Sequence, residues 1–336
     1  MNTQRHIIKN FTFSDGTVLP SVVVAYQVFN PSVEKTALVI TCFRGRLQNT
    51  CTFAKGALQG HRIVVAALLG NGESSSPSNT ADFPQDMLSY EDCVRALNDL
   101  LHNALHIKIL DVVIGFSMGG QATYYWLMMY PDMVRRAVII CSSASTSGHN
   151  VQFLEGPRFA LLNSIDYVPI AMRRKTDAAL PHEHCVRGIQ AFGKAYSAWL
   201  TSAEWFDKGC FRTLGFNSRA DWDKAVTGPN YSGWDPDDLL AMLGMWQRGD
   251  VSTLYGKGYT TKTLSETLAS IKVPVLLMPS RTDQYFRWQI SEREASMITN
   301  AVLKIIPSIW GHLAGFGTNP IDTEWMDSQI RTFLAE

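Results

Sequence analysis

The sequence predicts an α/β fold: a mainly parallel sheet of eight strands, flanked by helices and interrupted by one long helical insertion. Three observations carry this. Short β-branched runs alternate with helix-period segments, the pattern of strand–helix–strand units. One run, "DVVIGFSMGGQATYYWLMMY" (111–130), passes from strand to helix through a serine set among glycines. The alternation then stops over 145–270, where no convincing strand pattern occurs but five of the nine tryptophans do (199, 205, 222, 234 and 246).

Taken in order, "FTFSDGTVLPSVVVAYQVF" (11–29) reads as two strands joined at Asp15-Gly16, a hairpin signal. "TALVITCF" (36–43) and "HRIVVAAL" (61–68) are apolar runs closed by polar, Gly-rich loops, as buried parallel strands are. "SYEDCVRALNDLLHNAL" (89–105) is an amphipathic helix, with Val94, Leu97, Leu101 and Leu105 on one stripe and acidic residues near its start. After the 111–114 strand, the helix begun at Ser117 runs until Pro131 stops it. "RRAVIICS" (135–142), "VPVLLMPS" (273–280) and "AVLKIIP" (301–307) complete the strands. The expected organisation is a core of 1–144 with 271–336 and a helical lid over 145–270. The insertion begins at the carboxyl side of a sheet strand, where α/β sheets bind ligands.

Composition narrows the function. The 336 residues are 46% hydrophobic and only 18% charged, with 30 basic against 30 acidic side chains. That balance argues against nucleic-acid and anionic-membrane partners. No run approaches the 18 apolar residues a span needs, and "MNTQRHIIKNFTF" has no apolar signal core, so a cytoplasmic location is expected. Six cysteines (42, 51, 93, 141, 185 and 210) lack a CxxC pair and read as reduced thiols. "PHEHC" (181–185) offers histidines but no partner cluster, so no metal is expected. "GNGESSSPSN" (70–79) lacks the Lys-Ser/Thr pair of a phosphate loop and reads as a loop at the mouth of the site.

Ser117 sits in G-x-S-x-G, a nucleophile elbow, with Gly115 and Gly119 admitting close backbone approach. A serine hydroxyl needs a base within reach and an acid to orient that base. Asp283 follows the 273–280 run, and His312, preceded by a glycine, follows the last strand. The chain order Ser, Asp, His is the one this elbow uses. Asp235 and Asp250 compete for the acid role but fall inside the insertion. The oxyanion donors are expected at the Met118 N–H and at Phe43 or Arg44, in "TCFRGRLQN". The side chains of Arg44 and Arg46 are also candidates to meet an anionic substrate. His149, Trp234 and Trp246 are candidate pocket residues, and the insertion's tryptophans suggest a partly apolar substrate.

The segments "GNGESSSPSNT", "VVIGFSMGGQATYYWLMMYPDMVRRAVIICSSASTSGHN", "AFGKAYSAW", "DPDDLLAMLGMWQRGDVS", "PSRTDQYF" and "IPSIWGHLAGFGTNP" resemble the homoserine O-acetyltransferase-like branch of the α/β-hydrolase superfamily. The resemblance implies the α/β-hydrolase fold, a helical lid after the sixth strand, a homodimer through that lid, and Ser117, Asp283 and His312 as nucleophile, acid and base. It implies Arg158, in "FLEGPRFA", as a substrate anchor. Two loops depart from the true acetyltransferases: "TCFRG" stands for their His-Ala-Leu-Thr-Gly-like loop, and "GNGESSSPSN" is shorter than their Gly-Ser-Thr-Gly-Pro segment. The expected function is therefore hydrolysis of an ester or thioester of a small metabolite, with no cofactor. Two enzymatic alternatives stay open: an O-acyltransferase using acyl-CoA as co-substrate, and a triad-assisted cyclisation or carbon–carbon step in specialised metabolism. A non-catalytic receptor on the same fold is the remaining class, against which the intact triad argues.

Overall fold

The computed structural model describes residues 2–50, 52–175, 185–231, 233–254 and 263–336. Eight strands form one sheet: β1 (Gln4–Thr12), β2 (Val18–Phe29), β3 (Thr36–Ile40), β4 (Arg62–Ala66), β5 (Val112–Phe116), β6 (Ala137–Ile140), β7 (Val275–Met278) and β8 (Ala301–Leu303). Their order is β1-β2-β4-β3-β5-β6-β7-β8. β1 pairs antiparallel with β2, and β2 with β4; every other pair is parallel. The hairpin turns where expected, with Gly16 at φ +93° and its N–H donating to Phe13 O.

The central strands are buried on both faces, which explains their unbroken apolar runs. Alternate residues feed two cores. Val113, Ile139 and Leu277 join one cluster, while Ile114, Ile140 and Leu276 join the other. Helices α1 (Tyr90–Asp99) and α2 (Met118–Met129) cover the first face. Ser89 and Asp92 form a capping box at the start of α1. The helix expected over 89–105 changes to a π-helical turn at Leu100–Ala104, so it is regular for only part of that span.

Between β6 and β7 lie α3 (Gly148–Leu162), α4 (Ile170–Arg173), α5 (Val186–Ser197), α6 (Ala203–Asp207), α7 (Arg219–Thr227), α8 (Pro236–Gln247) and α9 (Leu264–Ala269), with no strand among the described residues. Helix α10 (Trp288–Met297) follows β7. Helices α11 (Leu313–Phe316) and α12 (Pro320–Ala335) follow β8, and Met326, Ile330 and Phe333 of α12 fill the second core. Most of the "PHEHC" motif lies outside the described residues. Among the described residues no helix is long and apolar enough to cross a membrane.

The strand register sets the shape of the sheet's carboxyl edge. Ile40 is opposite Gly115, Phe116 opposite Ile140, and Ile140 opposite Met278. The carboxyl ends of β3, β5, β6 and β7 are therefore level, and the loops leaving them converge on one rim.

Candidate active site

Ser117 occupies that rim at φ +56° and ψ −123°, backbone that a residue with a Cβ rarely adopts. The bend is clamped on several sides. Its N–H donates to Ile140 O (2.9 Å), and its carbonyl accepts from Gly120 N (2.9 Å), Gln121 N (3.1 Å) and Ser142 Oγ (2.7 Å). The glycines make room: a Cβ on Gly119 would stand 2.5 Å from Ile40 O, and one on Gly115 would stand 2.0 Å from Gly119 O. Sequence and geometry agree here, because only glycine lets the helix start this close to the sheet.

Ser117 Oγ lies 2.9 Å from His312 Nε2, and His312 Nδ1 lies 2.6 Å from Asp283 Oδ2. The other carboxylate oxygen, Oδ1, accepts from Tyr285 N (2.8 Å) and Phe286 N (3.1 Å). All three side chains are buried. The imidazole is walled by Phe116 (4.6 Å between ring centres), Tyr285 (4.8 Å) and Phe286 (5.7 Å). Gly311 precedes it at φ +59°, where a Cβ would meet Thr201 C at 2.5 Å. Leu313 N donates to Leu200 O at 3.2 Å. The histidine loop is thus packed directly on the 145–270 segment.

The Cys141 thiol sits under the same group, and burial, reinforced by the Asp283 charge, raises it well above its usual range. Cys141, Asp283 and His312 form the one cluster of metal-ligating atoms among the described residues. The donor set does not suit an ion: both Asp283 oxygens and His312 Nδ1 are committed to hydrogen bonds.

After β3, Gly45 N donates to Cys42 O (2.9 Å) in a tight turn that carries Arg44 at φ +56°. The N–H groups of Phe43, Arg44 and Met118 donate to no acceptor among the described residues. A cavity of about 260 Å³ opens on Ser117 and His312 and is lined also by Phe43, Arg44, Tyr196 and Trp222.

Several expected pocket residues stand elsewhere. Arg158 is 40% exposed, 3.6 Å from Glu155 on the same helix, and does not line the cavity. His149 packs on Trp199 (5.3 Å) and lines a separate outer cleft with Arg281 and Arg287. Trp234 is stacked under Arg46 (3.7 Å). Trp246 is fully buried, stacked on Phe286 (5.5 Å) behind the Phe43 ring (5.9 Å). These two tryptophans hold the wall rather than form its surface. Asp235 pairs with Arg173 (2.8 Å), and Asp250 accepts from Ser252 N (2.9 Å), so neither is bonded to His312.

Sequence reading did not single out Tyr196, Tyr285 or Glu294. Glu294 is buried and receives Tyr124 OH (2.7 Å) and Ala144 N (2.8 Å), fastening α10 to α2 and to the start of the insertion. The seat of Asp283 was legible in principle, since a side chain accepting from the backbone two and three residues on is an Asx-type turn, and "TDQYF" permits one.

Known proteins place this arrangement. Residues 38–317 match the family described as the alpha/beta hydrolase fold. The chain is 32% identical to an ethyl acetate hydrolase of Pseudomonas veronii over 81% of its length and 76% of that protein's. It superposes on an acetylester hydrolase from Corynebacterium glutamicum with a TM-score of 0.89 at 26% identity, covering 100% of this chain and 96% of the other. A homoserine O-acetyltransferase of Chloroherpeton thalassium is 32% identical over 90% of this chain and 82% of its own. On the extent of the family match and the 32% identity to these relatives, the chain belongs to the α/β-hydrolase family and is an enzyme of the hydrolase type.

Proposed function

We propose that the protein hydrolyses esters of a small, partly apolar alcohol or acid through an acyl-serine intermediate. The observation that supports this most directly is the buried Ser117–His312–Asp283 relay opening on the cavity. Ser117 Oγ attacks the ester carbonyl carbon while His312 Nε2 takes the hydroxyl proton. The tetrahedral intermediate collapses, the carbon–oxygen bond to the alcohol breaks, and His312 returns the proton to the leaving oxygen. Water then attacks the acyl-serine with His312 again as base, which frees the acid and restores Ser117. Asp283 holds the imidazole with Nδ1 protonated and stabilises its charged form. The N–H of Met118, with that of Phe43 or Arg44, receives the oxyanion; each such donor is typically worth ~3 kcal/mol of barrier. Residues 145–270 act as the lid, and the chain's own residues suffice without a metal or bound cofactor.

The ester-cleaving relatives favour water as acceptor. The homoserine O-acetyltransferase relative favours a second reading, transfer of the acyl group to an alcohol with acyl-CoA as donor. A partition experiment separates them. The protein is given p-nitrophenyl acetate with and without hydroxyl acceptors, L-homoserine among them, and free acetate is measured against acetylated acceptor. Acetate alone, at a rate indifferent to acceptor, is the expected result. Acceptor-dependent release with acetylated product would establish the transferase.

A further inference from the structure

Two arginines leave the turn after β3, and their surroundings differ. Arg46 is fully engaged: its Nη1 donates to Asn71 O (2.6 Å), its Nη2 to Gly233 O (3.2 Å), and its plane lies on Trp234. The charges of Glu73 and Asp238 also bear on it. Arg44 lies 4.2 Å above the Tyr231 ring and makes one hydrogen bond, from Nη2 to Asn230 O (3.1 Å). Its Nε is buried without a partner, and the Tyr231 ring and hydroxyl lie beside the guanidinium. Arg44 makes no ion pair with any described carboxylate. Arg44 lines the cavity that opens on Ser117, and among the described residues no aspartate or glutamate does. The remaining lining is aromatic, aliphatic or neutral polar, apart from the catalytic imidazole.

A half-buried guanidinium facing an apolar space without a counter-charge attracts an anion there more strongly than it would in water. A face-on tyrosine ring compensates only part of such a charge. The backbone reinforces the point, since Arg44 holds a positive φ that an unbranched, uncharged residue or glycine would hold at no greater strain.

We infer that the natural ester carries a carboxylate, seated on Arg44 in the cavity above Ser117. The protein then selects acidic esters over neutral ones of the same shape. The inference takes its reaction from the ester-cleaving reading above, but its binding step stands apart from it.

The test uses two isosteric pairs, each an acid and its amide. They are 3-acetoxypropanoate with 3-acetoxypropanamide, and methyl hydrogen succinate with methyl succinamate. The first pair places the charge on the alcohol half and the second on the acyl half. In the unsubstituted protein the acid of at least one pair should be cleaved about tenfold or more better in kcat/KM. Arg44→Met should bring that ratio close to one, mainly through KM, and Arg44→Lys should restore part of it. The ratio cancels any loss that Arg44→Met inflicts on both substrates through the turn. A ratio near one for both pairs in the unsubstituted protein, or one unmoved by Arg44→Met, would overturn the inference. Calorimetric binding of both acids to Ser117→Ala, with and without Arg44→Met, covers the case of no turnover. Binding lost with Arg44 then keeps the anion site while the ester-cleaving reading falls; binding indifferent to Arg44 removes the site.

Discussion

Replacing Asp283 by asparagine changes one atom and should stop the enzyme, for a reason visible in its hydrogen bonds. Oδ1 receives two backbone N–H groups, from Tyr285 and Phe286, and Oδ2 receives the imidazole at 2.6 Å. An asparagine has one acceptor oxygen to place. Facing its amide N–H₂ toward two backbone donors would leave buried donors opposed, so the oxygen takes the Oδ1 position. The N–H₂ then points at His312 Nδ1, which must become an acceptor. The ring proton moves to Nε2, 2.9 Å from Ser117 Oγ, and Nε2 can no longer receive the serine proton. The fold survives while the base is lost. For a triad this tautomer error is worth ~10⁴ in kcat, about 5 kcal/mol of barrier. Turnover of p-nitrophenyl acetate gives the rate, circular dichroism tests the fold, and ¹⁵N chemical shifts of the imidazole report which nitrogen carries the proton. A folded variant retaining activity within about tenfold of the parent would refute the reasoning and require another acid for His312.

Other consequences are as direct. Ser117→Ala should abolish labelling by a fluorophosphonate, and a labelled peptide from elsewhere in the chain would remove Ser117 as nucleophile. Burial pushes Glu294 up to about 7 from its ordinary 4.5. A carboxyl whose folded value is raised contributes stability below its unfolded value and loses it as pH rises through the folded one, here up to ~3 kcal/mol between about pH 4.5 and 7. Urea midpoints should fall over that window and flatten in Glu294→Gln, leaving a smaller slope from Asp238, which burial raises to about 6. An unchanged slope in the variant would mean that Glu294 ionises freely. Gly119→Ala should cost about 1–3 kcal/mol, because the new methyl meets the Ile40 carbonyl 2.5 Å away and both partners are backbone. A melting temperature equal to the parent's would show that the elbow has slack.

The central strands were legible because they are short and buried on both faces, so each appears as an apolar run between turn residues. The elbow was legible because its glycines answer a local steric need. Asp283 and His312 could be placed from the strands they follow, since topology brings strand ends to one rim. Contacts set by long-range packing were not legible. The pairing of Arg158 with Glu155, three residues back on the same helix, was open to a local reading, but the turning of that face away from the cavity was not. Nothing near Trp246 reveals that it lies behind Phe43. The division of labour between Arg44 and Arg46 depends on residues 230–234, more than 180 positions away. The apolar runs also overstate strand length: 135–142 yields Ala137–Ile140, because pairing ends where each chain turns toward the rim.

The contact of the histidine loop with Leu200 and Thr201 limits how this protein can be re-engineered or can diverge. An insertion fixed to its host only at two ends can be traded between homologues like a cartridge. Here the exchanged piece would carry away the surface on which Gly311 rests, the carbonyl that anchors Leu313, and the Asn230 and Gly233 carbonyls that hold the arginine turn. A chimera built by grafting another insertion between β6 and β7 would need the matching 311–313 and 44–46 residues to come with it. Drift in substrate preference along this lineage should accordingly appear as correlated change in three separated stretches, not as free variation in one.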